Sequence, residues 1–102
     1  MEFYLGKNDL GQEFKIIKND IIFYLYIGKD SEYIDYGMVM QIFDFMLYEY
    51  LYSFFILEKN KSIYFRDINE LDKYLQEICK IGLTEEFKDY LLSEEVMDKL
   101  TE

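Results

Sequence analysis

The chain has 102 residues and a formal net charge of −10, from 21 acidic against 11 basic side chains, with a hydrophobic fraction of 51%. This length supports one core, so a single domain over residues 1–102 is expected. The acidity argues against non-specific binding to DNA, RNA or an anionic membrane, which requires neutralising phosphate charge, and favours a basic protein as partner.

In chain order, Glu2 to Leu5, Glu13 to Lys18 and Asp20 to Ile27 read as strands, separated by the turn-rich GKNDLG and the corner at Lys18-Asn19-Asp20. Alternation in the third puts Ile21, Phe23, Leu25 and Ile27 on one side and Ile22, Tyr24 and Tyr26 on the other. Both faces are thus largely apolar. GKNDLG lacks the Gly-Lys-Ser/Thr ending and following helix of a phosphate loop, and reads as a plain turn.

The run from Tyr36 to Leu57 carries only Asp44 and Glu49 as charges, and about 20 apolar residues suffice to cross a bilayer. An acid at the centre of a span costs roughly 2.5–3.5 kcal/mol, and no one-sided Lys/Arg cluster flanks the run. A domain folded in water is therefore expected. At about 100° per residue, Gln41, Asp44, Tyr48 and Tyr52 fall on one narrow polar stripe. The aromatic and β-branched content favours strand, but no Gly, Pro or Asn between Gly37 and Lys59 offers a turn. The expectation is one long apolar helix from Ser31 to Leu51, capped by Asp30, with a strand starting near Phe54.

FFILE and SIYFR flank KNK as a hairpin, with Phe55, Leu57, Ile63 and Phe65 assigned to the core face. Asp67 with Glu70 has the spacing of a capping box, and Ile68, Leu71, Leu75 and Ile78 recur at helical spacing up to Gly82. Thr84 caps a short helix carrying Phe87, Tyr90 and Leu91, and Ser93 caps another, or the two form one bent helix. The expected class is α+β in the order βββ-α-ββ-α-α, an antiparallel sheet with the long helix packed on it and two short C-terminal helices.

The chain has no His, which removes Ser-His-Asp, Cys-His and His-rich metal chemistry. Its one cysteine, Cys79, cannot close an intramolecular disulfide and falls on the apolar face of its helix, as a buried small hydrophobe. The N-terminus has an acid at position 2 and lacks the pattern of a signal peptide, so a cytoplasmic location is expected. The acids form neither a calcium loop nor a defined carboxylate pair. No catalytic residue, metal or cofactor is assigned, and an enzyme is not expected.

Two surpluses point to binding. From Thr84 onward the net charge is −5, carried by Glu85, Glu86, Asp89, Glu94, Glu95, Asp98 and Glu102. On a helix such acids sit about 5–6 Å apart, near the phosphate step of a nucleic acid backbone, and suit an electropositive groove. Acids in a first helical turn are also favoured by the helix dipole, which accounts for much of the same pattern, and Asp30, Glu32 and Asp35 form a smaller patch open to both explanations. The second surplus is 11 tyrosines, a residue that supplies large contact area at little entropic cost. Tyr24 and Tyr26, with Tyr4, are assigned to the outer sheet face. The expected partner-binding residues are Glu85, Glu86, Asp89, Tyr90, Glu94, Glu95, Asp98, Tyr24 and Tyr26. The expected function is that of a small acidic inhibitor that neutralises a basic, nucleic-acid-handling enzyme by charge and shape, as a toxin immunity protein, an antitoxin or an anti-CRISPR-like inhibitor would. The alternative is a homo-oligomerising structural or regulatory module without catalytic activity.

Overall fold

The computed structural model describes residues 1–29 and 32–101, and the side chains of all of these except residues 29 and 94–101. Six strands precede two helices: β1 (Glu2–Lys7), β2 (Glu13–Asn19), β3 (Ile22–Lys29), β4 (Glu32–Asp44), β5 (Glu49–Ile56), β6 (Lys61–Phe65), α1 (Ile68–Cys79) and α2 (Glu85–Thr101). The strands form one antiparallel sheet in sequence order, β1 to β6. The class is α+β, as expected.

The long helix is not formed. Residues 32–44 and 49–56 are instead the two strands β4 and β5, so the order is six strands followed by two helices. Aromatic and β-branched residues dominate both strands, where such side chains pack well and where a helix would restrict them. The turn between them is made without Gly, Pro or Asn. Asp44 Oδ1 accepts hydrogen bonds from the N–H groups of Met46 at 2.9 Å and Leu47 at 3.3 Å, and Tyr48 takes the left-handed conformation at φ 58°. The presumed polar stripe resolves into a cross-strand pair, Gln41 opposite Tyr52, and two residues at the hairpin turn, Asp44 and Tyr48. Asp30 and Ser31, the expected start of that helix, lie outside the described residues.

Cross-strand register divides the sheet into two faces. Phe3, Ile16, Leu25, Gly37 and Ile56 line up across five strands on the inner face, and Phe23, Val39, Phe54 and Ile63 form the next row. Between Leu25 and Tyr26 the register with β4 slips by one residue, leaving Tyr36 as a bulge. Tyr36 turns inward, stacks on Phe54 at 6.4 Å and packs against the core. The β5–β6 hairpin turns at Leu57–Asn60, but β5 sits one residue out of the expected phase. Phe54 and Ile56 face the core, Phe55 faces the opposite side and Leu57 is exposed, whereas Ile63 and Phe65 face inward as expected. A one-residue slip reverses every side chain of a strand, and the true start of β5 at Glu49 fixes this phase.

Both helices cover the inner face. In α1, Asp67 caps the N-terminus by accepting from Asn69 N at 2.8 Å, and Ile68, Leu71, Leu75 and Cys79 are buried. Tyr74 of this helix packs against Phe54 and Phe65, so α1 lies over β5 and β6. In α2, Phe87 meets Phe3 edge-on at 5.1 Å and Phe23 at 5.3 Å, placing it over β1 and β3. Thr84 Oγ1 accepts from Phe87 N at 3.3 Å, and the segment continues through Ser93 as one helix. Among the described residues, no helix is long and apolar enough to cross a membrane.

Phe54 is fully buried in the core, whereas Phe45 at the hairpin tip is 78% exposed. Phe54→Ala is expected to cost about 3–5 kcal/mol, and Phe45→Ala less than about 0.5 kcal/mol. Urea unfolding followed by circular dichroism checks the pair, and equal losses would contradict the two-faced sheet.

Candidate protein-binding surface

Among the described residues, no helix covers the outer face of the sheet. Its rows follow from the same register: Glu2, Ile17, Tyr24, Met38, Phe55 and Ser62 run across all six strands, with Ile22, Met40, Ser53 and Tyr64 beside them. On the other side of the long row lie Tyr4, Lys15, Tyr26 and Asp35. Tyr24 and Tyr26 are half-buried by these neighbours, while Tyr4 and Tyr64 near the edges are 54% and 64% exposed. The three tyrosines assigned to an outer face therefore share one, together with Tyr33, Tyr64, Met38 and Met40.

The charges at one end of this face are already compensated. Glu2 pairs with Lys15 at 3.3 Å and Glu13 with Lys7 at 3.4 Å. Tyr33 lies over Gly28, where its ring occupies the space of a missing Cβ. Its hydroxyl donates to Glu13 Oε2 at 2.7 Å, and Lys15 Nζ stands 4.0 Å from its ring centre. That bond to the Glu13 carboxylate pushes the Tyr33 phenol up to about 12, and the same bond holds Glu13 below its usual range. Partial burial, aided by Asp35, raises the Tyr26 phenol.

The acids of α2 belong to the other side of the molecule, because α2 packs on the inner face of the sheet. Glu85, Glu86 and Asp89 are exposed there, and Glu85 lies 3.9 Å from Lys88. Glu94, Glu95 and Asp98 lie on the backbone of α2, and their side chains are outside those described. Tyr90 is half-buried, its ring 5.3 Å from Phe3, and its hydroxyl accepts from Lys18 Nζ at 2.7 Å. The residues expected to bind a partner are therefore split between two layers: Tyr24 and Tyr26 on the open sheet, the acids and Tyr90 on the helical side. One flat contact cannot use both.

Two features go beyond the residues singled out in the sequence. Asp72, on the helix face that packs inward, joins three segments: its Oδ1 accepts from Leu83 N at 2.8 Å and Gln76 Nε2 at 3.2 Å, and its Oδ2 lies 2.7 Å from Lys88 Nζ. The other is the β4–β5 tip, where Phe45, Met46, Leu47 and Tyr48 are all exposed. Asp44, immediately before the tip, is the clue in the sequence, since Asx turns need neither Gly nor Pro. Cys79 is buried, which pushes its thiol up and away from nucleophilic use. No three His, Cys, Asp or Glu side chains converge as metal ligands would among the described residues.

Burial pushes the Asp72 carboxyl upward, but the hydrogen bonds from Lys88, Leu83 and Gln76 outweigh it and hold the group below its ordinary value. Lys88 is raised, chiefly by its bond to Asp72. A depressed carboxyl stabilises the fold above its unfolded-state value and ceases to do so as pH falls through the folded value. A raised lysine stabilises below 10.5 and is lost as pH rises through its folded value. Asp72→Asn is expected to cost about 3 kcal/mol at pH 7 and to flatten both limbs of the stability profile. Chemical denaturation across the pH range measures this, and an unchanged acid limb would remove Asp72 from the account. Comparison of the chain with protein-family models, curated proteins and solved structures finds no match in any of the three.

Proposed function

We propose that this chain is a non-catalytic binding protein that captures a basic, nucleic-acid-handling enzyme and blocks it by charge and shape, in the manner of an immunity protein, an antitoxin or an anti-CRISPR-like inhibitor. The observation that carries this reading is the open sheet face, where tyrosines, methionines and isoleucines lie together without a covering helix. Monomeric proteins in water rarely leave apolar patches above about 300–600 Å² uncovered. The rows of the outer face run across all six strands, the kind of broad surface that a standard interface uses. Tyr at its centre and acids at its margin match the anatomy of such interfaces, with an aromatic core and a polar rim.

The sign of the partner comes from charge. Lys15 and Lys7 are engaged by Glu2 and Glu13, whereas Asp35, Asp44 and Glu49 on β4 and β5 make no ion pair among the described residues. With the exposed acids of α2 behind them, they give the molecule a negative field that speeds encounter with a cationic surface. The second reading, a homo-oligomer, is favoured by the same apolar face, with sheet packed on sheet about 10 Å apart. Its apolar belt is that face, where a long helix had been expected to supply it. Self-association has to overcome the repulsion of two copies at −10 each, which favours the basic partner.

The test is inhibition by the purified chain of a basic enzyme recovered with it from source cells. One equivalent is expected to abolish action on nucleic acid. Tyr24→Ala with Met38→Ala should weaken binding by about 30-fold or more, whereas Glu85→Lys, Glu86→Lys and Asp89→Lys together should alter mainly the association rate and its salt dependence. If the α2 substitutions abolish inhibition and the sheet substitutions spare it, the site lies on the helical side. A stable dimer in sedimentation equilibrium that excludes any such enzyme favours the second reading.

A further inference from the structure

The tip of the β4–β5 hairpin is a preformed apolar knob. β3 pairs with β4 only as far as Met40, and β6 pairs with β5 only from Tyr52. From Ile42 to Leu51 the hairpin therefore runs on as a two-stranded arm. At its end Phe45, Met46 and Leu47 are 78%, 96% and 50% exposed. Their backbone is fixed by the Asp44 carboxylate, and the Phe43 ring holds Phe45 at 4.8 Å and Tyr48 at 5.1 Å, both edge-on. A shape set in advance loses little entropy on engagement. A convex apolar knob fits a concave apolar pocket, the setting in which a few anchoring residues dominate affinity.

Charge around the knob specifies the rim of that pocket. No Lys or Arg occurs between Lys29 and Lys59, and Asp44 and Glu49 face each other across the base of the tip. Loops that enter lipid headgroups rely on cations beside their apolar residues; none lies between Ile42 and Leu51, and Arg66, in the hollow beside Tyr48 and Glu49, is accompanied there by Asp67. A symmetric tip-to-tip contact between copies brings like charges together. We infer that Met46 and Phe45 anchor the chain by inserting into an apolar pocket rimmed by Lys and Arg side chains on a basic protein. The inference rests on the binding function proposed above and names the part of the partner that is engaged.

Benzoylphenylalanine placed at Met46, and separately at Tyr24, tests this by irradiation in source cells. The Met46 probe is expected to join a basic protein, with the joined peptide mapping to an apolar pocket bordered by Lys or Arg. Adding Met46→Asp to the Tyr24 probe is expected to lower its yield by about 10-fold or more, while Met46→Leu preserves it. Met46 is almost fully exposed, so loss of folding does not explain such a loss. A Tyr24 adduct indifferent to Met46→Asp overturns the anchor and leaves the binding function standing. No adduct from either position overturns both. Adducts from Met46 to lipid or to a second copy, or co-sedimentation of the chain with phosphatidylcholine vesicles, also overturn the anchor.

Discussion

Helices α1 and α2 pack on the same side of the six-stranded sheet, with Leu71, Leu75, Phe87 and Leu91 closing over Phe14, Ile16, Leu25 and Phe54. Among the described residues no third helix covers the other side. From β2 to β5 each strand has a hydrogen-bonded neighbour on both sides, except in the arm from Ile42 to Leu51, so the backbone of the sheet proper is satisfied whichever face is covered. The outer rows therefore need no helix to complete the fold, and their side chains remain available for contact. This one-sided burial underlies both the stability and the proposed function.

The two faces are held apart by different means. On the inner side, apolar packing is locked by few polar groups, each with partners on several segments. Asp72 ties α1 to the Leu83 loop and to α2, and Asn8 donates to the Cys79 carbonyl at 2.8 Å, fastening the β1–β2 turn to the end of α1. Gln41 donates to the Leu91 carbonyl at 3.2 Å, joining the base of the arm to α2. On the outer side, ion pairs and the Tyr33–Glu13 bond compensate charge near β1 and β2 and leave the β4–β5 end acidic. The surface is thus graded, compensated and aromatic at one end and anionic at the other. Such a gradient fixes orientation more than it adds affinity.

The α+β class, the first three strands, the Asp67 cap, the inward face of α1 and the burial of Cys79 are local properties, and each was legible in the residues. Alternation in β3 also announced that both faces of the sheet would be apolar, since Tyr24 and Tyr26 oppose Phe23 and Leu25. The stretch from Glu32 to Ile56 was not legible in the same way. Its apolar residues satisfy a helical period as well as a strand period, and the deciding turn was hidden in Asp44 and Tyr48, residues that seldom advertise a hairpin. The phase of β5 depends on that turn, which is why Phe55 faces outward and Leu57 falls in the next turn, where the sequence alone places both in the core.

The candidate surface divides along the same line. The sequence by itself determined the charge, the absence of histidine chemistry, the tyrosine surplus and the periodicity of isolated segments, because composition and local spacing survive in any fold. Only the tertiary structure decided that Tyr24 and Met38 share a row with Phe55, that the α2 acids lie behind the sheet, and that Phe45 and Met46 stand at the end of an arm. Those relations depend on strand register and on which face the helices cover, and both are set by contacts between residues far apart in the chain.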